Sequence, residues 1–264
     1  MTAATAGPAN VHERIADHER AVIGSYRRSA PAPDRLGPLL SVCGLAGGVG
    51  VTTLAYLIAL AAARQWPDPV LVADTGGPSG GLAMFAGVER PRSLGELAKQ
   101  LAAGAPLGPG IFGVGQHGVR VLAAGPEFAS RCRDDKVKEL VADAREVHGL
   151  TVIDCGTLAR EADQIVAADA THIAWMLSAT GNGVERGRRV LEAAPRTVAK
   201  ELIVARNDIN QTRAPLRELR RLAAERGALL VLMPHLTRLE SGGIEATVDE
   251  AQVPVQAILG ALRR

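Results

Sequence analysis

The sequence predicts a doubly wound α/β domain: a mostly parallel sheet with helices on both faces. Short apolar runs alternate with helix-length segments from Leu39 onward. Strands that alternate with helices are joined by crossovers and lie parallel, buried on both faces. Polar or glycine residues stand directly after the runs, at the carboxyl ends of the strands, where such a sheet binds its ligands.

Residues 1–9 are small and proline-containing and predict a disordered tail. Asn10 to Arg28 predicts a helix. Asn10 can cap it with Glu13 three residues on, and Val11, Ile15, Val22 and Tyr26 share one face. Ser29–Pro33 breaks that helix, so residues 1–37 read as an N-terminal extension and 38–264 as the domain. Within the domain Leu39–Cys43 predicts a strand, and Thr52–Gln65 a helix apolar nearly all round. Strand Val70–Ala73, helix Ser93–Gly104, strand Val119–Ala123, charged helix Asp134–His148 and strand Leu150–Ile153 follow. Then come helix Asp163–Ala168, strand His172–Leu177, helix Val184–Ala194, strand Leu202–Ala205, helix Pro215–Arg226 and strand Leu229–Met233. The last helix, Gln252–Leu262, carries Val255, Ile258, Leu259 and Leu262 along one side, the pattern of a core helix. It leaves membrane contact no more than a peripheral role.

Composition narrows the function. The chain has 264 residues, 47% hydrophobic and 22% charged, the composition of an ordinary globule, and a net charge of +2 carries no global electrostatic argument. Three cysteines (Cys43, Cys132, Cys155) without metal spacing fit a reduced, cytoplasmic setting. No secretion core and no run of 18 apolar residues is visible. Charge is concentrated in one place: residues 182–221 hold nine arginines and Lys200 against five acids. Arg186, Arg189, Arg217 and Arg221 fall on two predicted helices and could contact DNA phosphates, but a solvated arginine-rich face is the preferred reading.

The chemistry-bearing stretches sit at strand ends. Gly47-Gly48-Val49-Gly50-Val51-Thr52-Thr53 joins the first strand to the apolar helix. Glycines let backbone N–H groups converge on a phosphate, the helix N-terminus adds its dipole, and a threonine hydroxyl there can ligate Mg²⁺. Asp74 and Asp154 each close an apolar strand after that loop and complete a metal-binding pattern.

With these residues in place, the chain resembles the ParA/MinD group of P-loop ATPases, whose deviant loop reads G-K-G-G-x-G-K-T-T. The matching stretch here is Leu45-Ala46-Gly47-Gly48-Val49-Gly50-Val51-Thr52-Thr53. VLVADTGGPSG partly matches the family's strand with D-x-D, TVIDCGT partly matches its next acidic strand, and ELIVARND resembles the strand ending in its adenine-contacting asparagine. The resemblance covers nearly all of the chain after the extension, and the pilus-assembly and polar-localisation branch (TadZ/CpaE type) and the septum-site proteins look most similar. It implies ATP or ADP with Mg²⁺, held by residues 47–53 and Asn207, with Thr52, Asp74 and Asp154 on the metal, in a homodimer. The departures fall on charge. The family's phosphate-binding lysine is Val51, its trans-acting signature lysine is Ala46, its first loop glycine is Leu45, and its second D-x-D acid is Gly76. One trans-acting cation can be worth roughly 10³–10⁵ in phosphoryl-transfer rate. The expectation is therefore a pseudo-ATPase acting as a localisation or assembly scaffold for protein partners. The alternatives are an atypical ATPase with a substitute arginine, which the sequence does not name, and a DNA-binding partition-like protein. The sequence also leads one to expect the Val51 side chain beside the triphosphate.

Overall fold

The apolar runs become one eight-stranded sheet of order β3-β4-β2-β5-β1-β6-β7-β8. Along the chain the elements are β1 (Leu39–Gly44), α1 (Val51–Ala63), β2 (Val70–Asp74), α2 (Gly81–Ala86), α3 (Leu94–Ala102), β3 (Gly113–Val114), β4 (Arg120–Leu122), α4 (Asp134–Val147) and β5 (Leu150–Asp154). They continue with α5 (Glu161–Ala168), β6 (His172–Ser178), α6 (Gly181–Ala193), β7 (Lys200–Arg206), α7 (Leu216–Arg226), β8 (Leu229–Met233), α8 (Leu239–Ala246) and α9 (Gln252–Leu262). All neighbouring strands pair parallel except β3 with β4, which pair antiparallel at the sheet edge. The computed structural model describes residues 36–75, 81–88, 92, 94–104, 111–123, 134–194, 198–207 and 215–263. The helix expected over Asn10–Arg28, together with Gly76 and Cys132, lies outside the described residues.

Each strand and helix expected from Leu39 onward is present, within three residues at either end. The sequence missed α2, β3, α8 and a short 3-10 turn at Gln116–Gly118. Six residues of α2 are too few to show a period, and β3 has only two. In α8 the Gly242-Gly243 pair, with Gly243 at φ 69, kinks the helix and hides it from propensity.

Two apolar layers sandwich the sheet, and the period-two alternation of each strand feeds both. In β1, Leu40 and Val42 face the layer formed with α1 and α9, while Leu39 and Cys43 face the layer formed with α3 to α7. Helix α1 is buried nearly all round because α9 covers the side it turns from the sheet: Val255, Ile258, Leu259 and Leu262 of α9 are buried with it. Leu54, Leu57, Ile58 and Leu60 of α1 are at most 1% exposed. Full burial of each is worth roughly 1.5–3 kcal/mol, so the start of α1, and the loop that leads into it, is held in place by the core. Strand β7 is tied from outside by Arg226, whose Nε and Nη2 grip the Glu201 carboxylate at 2.8 and 2.5 Å.

Candidate functional site

Strand β1 ends at Gly44 in the middle of the sheet, between β5 and β6. The Gly44 N–H donates to Gly156 O at 2.6 Å and the Leu45 N–H to Met176 O at 2.8 Å, so the loop is anchored to the ends of both neighbours. Gly48 (φ 72) and Gly50 (φ 97) adopt left-handed backbone that a side chain would strain. A Cβ on Gly47 or Gly48 would meet nothing within 4 Å, so this part of the loop has an open face. Gly50 stands at the N-cap of α1, and the Leu54 N–H closes the first turn on its carbonyl at 2.9 Å. No acid lies in that first turn and no side chain caps it. The N–H groups of Val51, Thr52 and Thr53 precede any intrahelical acceptor, and the positive end of the helix dipole adds to them.

The loop's side chains go the other way. Val49 and Val51 are 4% and 8% exposed. A Cβ on Gly44 would stand 2.9 Å from Val51 Cγ2 and 3.1 Å from Val49 Cγ2, so both valines lie under the loop against Gly44. Ala46 packs on the same apolar layer. Leu45 is buried in the opposite layer and presses on α6, with Cδ1 3.2 Å from where Gly187 would carry a Cβ. This corrects the expectation that the Val51 side chain stands beside a triphosphate. It turns into the core, because a branched apolar side chain is more stable out of water, and position 51 offers a ligand only its N–H.

Thr52, Asp154 and Asp74 stand close together at the head of α1. Thr52 Oγ1 donates to Asp154 Oδ2 at 2.5 Å, and the Gly156 N–H donates to Asp154 Oδ1 at 3.0 Å. Asp74 pairs in register with Asp154 on the neighbouring strand, and both are 6% exposed. Burial raises the Asp154 carboxyl above the usual range, opposed by the hydrogen bonds from Thr52 and Gly156. A hydroxyl and a carboxylate in contact at the head of a glycine loop fit Mg²⁺, which keeps few protein ligands and takes the rest from water and phosphate. Among the described residues no three His, Cys, Asp or Glu side chains converge on a metal position. An ion here would thus depend on Thr52, a carboxylate and the ligand's own oxygens. Cys43 and Cys155 are buried free thiols.

Residues that the sequence did not single out complete the surroundings. Asp163, 1% exposed, accepts from Thr75 Oγ1 and from the Arg160 N–H and Nε at 3.1 and 3.3 Å, tying the end of β2 to the start of α5. Its only sequence signal is that of an acid in a first helical turn. Arg206, the last residue of β7, reaches the loop: its Nη1 donates to Gly48 O at 3.3 Å. Asn207 follows it, with its N–H on Met233 O at 2.9 Å. The arginines Arg186 and Arg189 of α6, and Arg217 and Arg221 of α7, are exposed. Arg189 and Arg221 each pair with a glutamate on their own helix, Glu185 and Glu225, at 2.9 Å. Among the described residues no helix is long and apolar enough to cross a membrane.

No protein-family model matches the chain, and no curated protein matches it. Solved structures do. A ParA family ATPase from Chlorobium tepidum is 13% identical, covering 87% of this chain and 98% of that one at a TM-score of 0.66. The septum site-determining protein MinD complexed with Mg-ADP, from Pyrococcus horikoshii, is 15% identical over 86% of this chain and 95% of that one, also at 0.66. The MinC:MinD cell division complex of Aquifex aeolicus gives 17% identity, 86% and 95% coverage and 0.62. The chain therefore has the fold of the ParA and MinD P-loop ATPases.

Proposed function

We propose that this chain is a catalytically degenerate protein of ParA/MinD fold, which binds an Mg-nucleotide as a ligand with negligible turnover and acts as a localisation or assembly factor. One observation supports the reading: the loop has two left-handed glycines and a Thr52–Asp154 hydrogen bond, while Val51 lies in the core and Ala46 packs partly buried against it. Backbone N–H groups from Gly47 to Thr53 would hold the phosphates, and Asn207 would lie toward the base. Thr52, Asp154 and Asp74 would hold Mg²⁺, which neutralises charge on phosphate oxygens when bound. Positions 46 and 51 carry no cation into the phosphoryl group. Phosphoryl transfer rests almost wholly on positioning and charge, so binding survives here better than hydrolysis.

The function that remains is recognition. In the Aquifex complex MinD is assembled with a protein partner, MinC; by analogy this chain serves protein partners in the cytoplasm, in a pilus or secretion system or at a cell pole or septum, as a homodimer held by apolar or arginine contacts. DNA binding through Arg186, Arg189, Arg217 and Arg221 is the less favoured reading, since Arg189 and Arg221 are already ion-paired. A calorimetric titration with Mg-ATP beside a phosphate-release assay tests the proposal. Binding without release is expected. Turnover that vanishes in Thr52→Ala or Asp154→Ala would overturn the degenerate reading, and absence of any binding would overturn the nucleotide ligand.

A further inference from the structure

The loop's own cations are gone, but a cation from another strand stands at it. In β7, Leu202 and Val204 face the α1 layer and Ile203 and Ala205 the opposite layer. By the same alternation Arg206 emerges on the α1 side, at the carboxyl end of the sheet, opposite Ser178 of β6 and Met233 of β8. That is the side on which the glycine loop enters α1. Its Nη1 lies 3.3 Å from Gly48 O and 3.7 Å from the place of a Cβ on Gly50, with the arginine Cδ 3.9 Å from that place. The guanidinium thus runs along both left-handed glycines.

The contacts it makes there do not use its bonding capacity. A guanidinium has five N–H donors in a fixed fork. Nη1 makes one long bond to a carbonyl, and Nε is buried with no hydrogen-bond partner among the described residues. A buried donor that has lost water without gaining an acceptor is a cost that an incoming acceptor removes. Beside it are the left-handed glycines that lead into the uncapped and acid-free first turn of α1. Both favour an anion at this position.

We propose that Arg206 is the cationic ligand of the loop, contacting the polyphosphate chain of a nucleoside di- or triphosphate in place of a loop lysine. The inference rests on the reading that a nucleotide occupies this loop. Binding exchanges one long bond to Gly48 O for charge-assisted bonds to phosphate oxygens, which a planar fork makes in pairs. Charge is thereby returned to the phosphates without disturbing Val51, which stays in the core. Recognition by Arg206 is recognition of phosphate, so it separates nucleotides by phosphate content and is indifferent to the base.

The test is calorimetric titration of the full chain with Mg-ATP, Mg-ADP and adenosine, comparing the wild type with Arg206→Ala, Arg206→Lys and, as a surface control, Arg189→Ala. Arg206→Ala should weaken Mg-ATP and Mg-ADP binding about 10- to 100-fold and leave adenosine binding unchanged. Arg206→Lys should recover part of the loss, and Arg189→Ala should bind as the wild type does. Melting curves without nucleotide, unchanged in Arg206→Lys, separate a ligand role from a folding role. Wild-type nucleotide binding that is unchanged in Arg206→Ala would overturn this inference alone. Tighter binding in Arg206→Ala would also overturn it, by making the arginine a plug on the loop. A wild type that binds no nucleotide would overturn the nucleotide reading and this inference with it.

Discussion

The two halves of the loop between β1 and α1 have been treated differently. On the half that faces β5, Thr52 and Asp154 keep a polar contact at 2.5 Å, and Asp74 stands in register beside it. On the half where the resemblance places lysines, Ala46 and Val51 belong to an apolar layer, joined by Val49. The first half is set by backbone register between strands of the sheet centre, and it persists as long as the fold does. The second half is set by apolar packing, with Val51 buried and Ala46 partly buried against the same layer. In this loop the glycine turn and the Thr52–Asp154 contact stand beside an apolar Ala46 and Val51, so loop geometry does not depend on loop charge.

Acid breaks the comparison most bluntly, because it acts on the fold beneath both halves. His148, between α4 and β5, is 2% exposed; its Nδ1 bonds Ala144 O at 2.6 Å and its Nε2 accepts from Arg120 Nη1 at 3.2 Å. Burial lowers its pKa from 6.5 to about 4, opposed by the bond to Ala144 and aided by the Arg120 charge. The unfolded chain takes up this proton first, so stability is full above pH 6.5 and falls as the pH drops to about 4. The loss should approach about 3 kcal/mol, measured by denaturant unfolding across that range. A His148→Gln variant with an undiminished acid loss would clear His148 of the effect, and binding data for the loop should be taken above this window.

Gly44→Ala attacks the packed half. Its methyl group would sit 2.9 Å from Val51 Cγ2 and 3.1 Å from Val49 Cγ2 and Ala46 O. Overpacking there should cost about 1–3 kcal/mol, read as a lower melting temperature; an unchanged one would show that the valines are not wedged against β1. Asp154→Asn attacks the polar half. It should weaken nucleotide binding in Mg²⁺ by about tenfold, with little change in EDTA. Equal losses in both conditions would place Asp154 in the fold rather than on the metal.

The finest test returns charge to the packed half. Val51→Lys removes a buried side chain at a cost of about 1 kcal/mol and should raise Mg-ATP affinity several-fold, with no phosphate release because Ala46 is unchanged. Release from this single variant, followed in a phosphate assay, would show that one cation suffices for turnover in this loop.

Much of the molecule could be read directly from the chain. Apolar runs, the all-round apolar α1 and the glycines at 47, 48 and 50 report on neighbours in sequence, so strand order along the chain, the turn and the two strand-end aspartates were all legible. The elements that escaped were too short to show a period, such as α2, or interrupted by glycines, such as α8. The direction of a side chain was not legible. Position 51 is a first helical residue whichever way it points, and only the packing of Gly44 beneath it turns the valine inward. Arg206 stands 158 residues from Gly48. Alternation along β7 limits it to one of two faces, but which face carries the loop is fixed only when β6 pairs between β1 and β7. The chain alone determined a glycine loop without a lysine between an apolar strand and an apolar helix; tertiary structure decided that Val51 is core, that Ala46 packs partly buried against it, and that an arginine from another strand stands at the loop, because register between distant strands is a property of the assembled sheet.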